Sequence, residues 1–98
     1  MYIRIARGTT DPSRLDDVVA VLRDVGHPLM RQQAGFQNSS IGVNRTNGQV
    51  VIVSTWDTEE HASVSFAGAT DFISRLQALG VDFGQQPGPA LYEVAYQV

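Results

Sequence analysis

The sequence predicts an α+β domain of the ferredoxin-like split βαβ type, β-α-β-β-α-β, with its helices on one face of an antiparallel sheet. Three observations carry that order. The run Tyr2-Ile3-Arg4-Ile5-Ala6-Arg7 alternates like a strand, and an apolar stripe at helical spacing follows it. Asn47-Gly48 then joins two further strand-like runs as a hairpin. The 98 residues suit one domain, 1–98, with a single core.

The first strand ends at Gly8. Asp11-Pro12 reads as a cap with proline in the first helical position, where a missing N–H costs nothing. Leu15, Val18, Val19, Leu22 and Val25 form the buried stripe of the helix that follows. Gly26-His27-Pro28 predicts a kink or restart, because proline removes a helical hydrogen bond and crowds the preceding turn. Leu29 to Gln33 resumes the helix until Gly35. Phe36 to Arg45 is a polar strand, with Phe36, Asn38, Ser40, Gly42 and Asn44 expected on one face. After a two-residue Asn-Gly turn, Val50 to Trp56 begins with four apolar residues in a row, the mark of a strand covered on both faces. Asp57, with Glu60 three residues on, makes a capping box for a helix reaching Gly68. Thr70 or Asp71 caps another, carrying Phe72, Ile73, Leu76 and Leu79 to Gly80. A loop with Gly84, Pro87, Gly88 and Pro89 leads to a last strand, Ala90 to Val98, with Tyr92, Val94 and Tyr96 on one face.

Composition removes whole classes of chemistry. All seven basic residues are arginine; lysine and cysteine are absent. A Schiff-base lysine, a thiol nucleophile, a disulfide and a cysteine-ligated metal or cluster are therefore impossible. The net charge is −3 and the arginines are scattered, which gives no electrostatic reason to meet nucleic acid or an anionic membrane. No apolar run approaches a membrane span and no signal peptide is visible, so the expected location is cytoplasmic. A central strand covered on both faces, in a fold whose helices cover only one, implies a homodimer packed sheet to sheet.

Candidate site residues cluster around Ser54-Thr55-Trp56-Asp57-Thr58-Glu59-Glu60-His61. Trp56 either stacks on an aromatic ligand or fills the core beneath the helix. His61 is a candidate general base near two glutamates, or else a solvated surface histidine. His27, at the helix break, either lines a cavity or ends a helix. Asn38 and Asn44 would form a hydrogen-bonding pocket floor if their strand face lies under a helix; the alternative is an edge strand facing water. Arg45 at the strand end suits a carboxylate or oxyanion, and Tyr92 either packs across a dimer or reaches the pocket. The two histidines and the acids show no metal-ligand spacing.

Ala34-Gly35-Phe36, the Asn47-Gly48 hairpin, Val51-Ile52-Val53-Ser54-Thr55-Trp56 and the acidic Asp57-Thr58-Glu59-Glu60 together resemble the dimeric α+β barrel superfamily, specifically its antibiotic-biosynthesis-monooxygenase-like group. That resemblance implies a pocket between helices and sheet, and a cofactor-independent monooxygenase acting on an aromatic or polycyclic small molecule. The resemblance to haem-degrading members fails at Ile3, Arg4 and Ile5, at Ser65 or Phe66, and at Ser74 or Arg75. Oxygenase members carry a histidine about nine residues after the tryptophan; here Ser65 stands there and His61 lies one turn earlier. An isomerase, lyase or cyclase of an enolisable substrate, or a non-catalytic ligand-binding dimer, are the alternatives.

Overall fold

The computed structural model describes residues 1–63, 70–83 and 90–98. Strands β1 (Tyr2–Thr9), β2 (Phe36–Asn44), β3 (Gln49–Trp56) and β4 (Ala90–Glu93) form one antiparallel sheet in the order β2-β3-β1-β4. This is the split βαβ arrangement: the crossover from β1 to β2 leaves a gap that β3 fills. The crossover is a 3₁₀ turn (Pro12–Arg14), α1 (Leu15–Val21), a π turn (Leu22–Gly26) and α2 (His27–Arg31). Helices α3 (Glu59–Ser63) and α4 (Thr70–Ala78) follow the hairpin. The positions of Gly68, Gly84, Pro87, Gly88 and Pro89 lie outside the described residues. Among the described residues no helix is long and apolar enough to cross a membrane.

Each strand alternates, so the register fixes two faces. Tyr2 pairs with Trp56, Arg4 with Ser54, Ala6 with Ile52 and Gly8 with Val50, and this set faces the helices. Leu15, Val18, Leu22 and Met30 pack there against Val50, Ile52 and Trp56, with Phe72 and Leu76 from α4. The opposite, open face is crossed by aligned rows. Asn38, Thr55, Ile3 and Tyr92 make the first row; Ser40, Val53, Ile5 and Ala90 make the second.

The expected breaks move in detail. The α-helix restarts at His27, within the expected Gly26-His27-Pro28 break. Its extra residue is taken up just before, where the His27 N–H bonds to the Leu22 carbonyl five residues back. The widened turn relieves the crowding that proline brings to the carbonyl four residues before it. The hairpin loop is four residues, 45–48, rather than two, because Asn44 pairs with Gln49. Only Gly48 has positive φ (77°); Asn47 does not. A bulge between Phe36 and Asn38 shifts parity, so Phe36 joins the helix face beside Trp56 while Asn38 and Asn44 face the open side. The last strand stops at Glu93, the partner of Tyr2, rather than running to Val98. Val94 still bonds to the Met1 carbonyl, but Tyr96 and Val98 are exposed.

Candidate active site

His61 lies in the first turn of α3, held by two neighbours. Its backbone N–H bonds to the Thr58 hydroxyl at 3.1 Å, which makes Thr58 the helix cap in place of the expected Asp57. Asp57 is thereby released from capping, and its Oδ1 lies 2.6 Å from His61 Nδ1. The contact holds the Asp57 carboxyl below the usual carboxylate range, chiefly through the hydrogen bond from His61. A carboxylate on Nδ1 keeps the proton there and leaves Nε2 as the basic nitrogen. The Asp57 N–H bonds to the Gly35 carbonyl, and Gly35, at φ 83°, passes so close that a Cβ on it would strike both Asp57 Oδ1 and His61 Nδ1. An open cleft of about 680 Å³ lies on the Asp57 side of the pair, lined by Tyr2, Asp57, Thr58, Glu59, Glu60 and Ser63 but not by His61.

His27 is engaged elsewhere. Its Nε2 lies 3.1 Å from the Ser39 hydroxyl, on the helix face of β2. Burial first, and the nearby Arg31 charge second, lower its pKa below the ordinary histidine value. The folded protein therefore prefers neutral His27, and its contribution to stability is complete above about pH 6.5, the unfolded value. It is lost progressively as pH falls below that toward the folded pKa. Urea midpoints measured from pH 7.5 to pH 5 are expected to fall more steeply for wild type than for His27→Gln. Parallel curves would show that His27 protonation is not resisted by the fold.

The model of the family described as antibiotic biosynthesis monooxygenase matches residues 1–66, two thirds of the chain. The chain belongs to the antibiotic biosynthesis monooxygenase family. Solved structures agree on the fold. A Deinococcus radiodurans protein assigned to the same group superposes with TM-score 0.76 at 19% identity, covering 100% of this chain and 96% of that one. The Streptomyces coelicolor monooxygenase from ActVA-Orf6, in complex with nanaomycin D, gives 0.72 at 15%, covering 99% and 89%. SnoaB, a cofactor-independent oxygenase from Streptomyces nogalater, gives 0.71 at 17%, covering 99% and 95%. Among curated proteins no sequence matches this chain.

In this member of the antibiotic biosynthesis monooxygenase family, Trp56 is wholly buried. Its Nε1–H donates to Ser54 Oγ at 2.9 Å, the Ser54 hydroxyl donates on to the Arg4 carbonyl at 3.4 Å, and the Phe36 ring meets the indole edge-on at 5.4 Å. The helix–sheet layer where the family resemblance implies a pocket is filled between Ala6, Leu22, Ile52 and Leu76. The void there is about 10 Å³, too small to shelter a ligand. The expected pocket floor is not under a helix: Asn38 and Asn44 face the open side, as does half-exposed Tyr92. Arg45 pairs at the surface with Asp16, 3.0 Å away.

One inward grouping was not expected from the sequence. Ser39, Ser54 and Arg4 share one row of register on the helix face. Arg4 is only 7% exposed, and burial lowers its pKa to about 10, still charged at neutral pH. The signal was present in β1. Arg4 is in phase with Tyr2 and Ala6, so an inward Tyr2 requires an inward arginine and outward Ile3 and Ile5.

Proposed function

We propose that this chain is a cofactor-independent monooxygenase acting on an electron-rich aromatic small molecule, with His61 as the general base. The observation that carries the reading is the Asp57–His61 contact, whose carboxylate partner also lines an open cleft. A carboxylate held on Nδ1 fixes the ring's orientation and leaves Nε2 as the nitrogen that can take a proton. The reaction needs little more from the protein. Removing a proton from an anthrone-type methylene leaves a carbanion that reduces O2, and carbon–oxygen bond formation gives a hydroperoxide. Loss of the second C–H proton with cleavage of the O–O bond releases water and leaves a ketone. One substrate and one O2 thus give one quinone and one water, the substrate supplying the electrons.

The working unit is a homodimer packed through the open sheet face. Ile3, Ile5 and Val53 sit at the centre of that face, half-buried in a single chain, with polar Asn38 and Ser40 toward one edge. An apolar centre with a polar margin is the usual anatomy of a subunit interface.

Oxygen consumption with an anthrone or a naphthoquinol, alongside light scattering at the assay concentration, tests both statements. Two chains per particle are expected. Turnover should fall about 100-fold or more in His61→Ala, the size of a general-base contribution, and far less in His27→Ala. Equal rates for wild type and His61→Ala would remove His61 from the mechanism; proton exchange at the substrate carbon without oxygen consumption would mark an isomerase.

A further inference from the structure

A second space lies at the other end of the sheet, with neither histidine in its lining. A cavity of about 640 Å³ lies at the hairpin end of the sheet, within the range of small-molecule sites. We propose that it binds a small aromatic carboxylate, with the ring laid on Gly42 and Val51 and the anion held by Arg7 and Asn44.

The register builds this site from the sequence upward. Gly42, Val51 and Arg7 form the third row of the open face, and Asn44, Gln49 and Thr9 the fourth. Glycine in the middle of a strand weakens it, and commonly marks a place where something approaches the backbone closely. At Gly8 that something belongs to the chain itself: a Cβ there would lie 2.9 Å from Val81 Cγ1 and 3.3 Å from the Asp82 carbonyl oxygen. At Gly42 the only neighbour among the described residues is Val51 Cγ1 at 3.0 Å, on the same floor. No backbone of the described residues comes down on Gly42, and the bare strip is the cavity floor. Phe83 supplies an aromatic wall, brought there because Thr9 and Asp82 exchange backbone hydrogen bonds of 2.8 and 2.7 Å.

The polar groups set the charge of the occupant. The Arg7 guanidinium makes no ion pair or hydrogen bond among the described residues, and it is the one cation lining the cavity. A planar guanidinium matches a carboxylate with two parallel hydrogen bonds. Asn44 Oδ1 is already committed to the Thr46 N–H at 3.0 Å, which leaves its amide NH2 as a donor. Asp82 also lines the cavity and disfavours a multiply charged anion such as a phosphate. One negative charge on a flat apolar body is what the set accepts. The first two rows of the same face carry the apolar centre, so ligand and subunit interface draw on different ends of it.

The probe is 2-naphthoate, with 2-naphthamide as its uncharged counterpart, titrated into the full-length protein and followed by amide NMR. Saturable shifts are expected at Gly42, Val51 and Phe83, and not at Tyr2 or Ser63 in the Asp57 cleft. Arg7→Gln should weaken naphthoate at least 10-fold and leave naphthamide unchanged. Gly42→Val, which suits a strand and fills the floor, should weaken both. Shifts at the Asp57 cleft instead, equal affinity for acid and amide, or no saturable shift because a second copy covers the cavity, would each overturn the proposal. The result is independent of His61, since an oxygenase that fails turnover would still bind naphthoate here.

Discussion

Trp56→Ala is expected to destabilise the protein by about 3–5 kcal/mol, the usual cost of removing a large aromatic from a packed core. Against a total of about 5–15 kcal/mol for an ordinary domain, that leaves a chain with little margin. The structural reason lies in the neighbours. The indole is fully buried between Phe36 and the helix layer, and its Nε1–H is the partner of the buried Ser54 hydroxyl. Removing it leaves a cavity and a buried hydroxyl short of one donor. Urea denaturation measures the loss, with Trp56→Phe as the comparison. Phenylalanine keeps most of the volume and gives up the hydrogen bond, so a smaller loss of about 1–2 kcal/mol is expected. A loss below about 1 kcal/mol for the alanine variant would mean that the ring does not hold the core together. Ligand binding near Trp56 is accordingly better tested with Trp56→Phe, which should remain folded.

The sequence showed the element order because that order rests on long periodic signals. The stripe Leu15, Val18, Leu22 is read without tertiary knowledge, and all three residues are buried. The site was less legible because its geometry hangs on single-residue shifts. One extra residue at the start of β2 turned Asn38 and Asn44 away from the helices and Ser39 toward His27. A one-residue slip reverses every side chain of a strand, and nothing in the polar run Gln37-Asn38-Ser39-Ser40 says where the slip falls. The capping choice was similarly close. Asp57 and Thr58 are both good caps, and the choice of Thr58 is what frees Asp57 to face His61. The pairing of His61 with Asp57, four residues apart on one helical face, needed only that choice to be readable.

Gly35→Ala is expected to do more damage to the site than to the fold. Gly35 has φ 83°, a region that costs an ordinary residue about 1–2 kcal/mol. The greater consequence is local, because the new methyl falls on Asp57 Oδ1 and His61 Nδ1. Both are ends of partly exposed side chains, so they give way before the strand does. The Gly35 carbonyl can keep the Asp57 N–H while the carboxylate and imidazole separate. The depression of the Asp57 carboxyl comes chiefly from the His61 hydrogen bond, so its pKa should rise toward the ordinary value in Gly35→Ala, and equally in His61→Ala. Carboxyl-carbon NMR titration reads this directly, without any substrate. Oxygen consumption should fall in Gly35→Ala nearly as far as in His61→Ala if orientation of the imidazole is what Asp57 supplies. An unchanged Asp57 titration in Gly35→Ala would show that the pair tolerates the methyl, and that glycine stands at position 35 for its backbone angle alone.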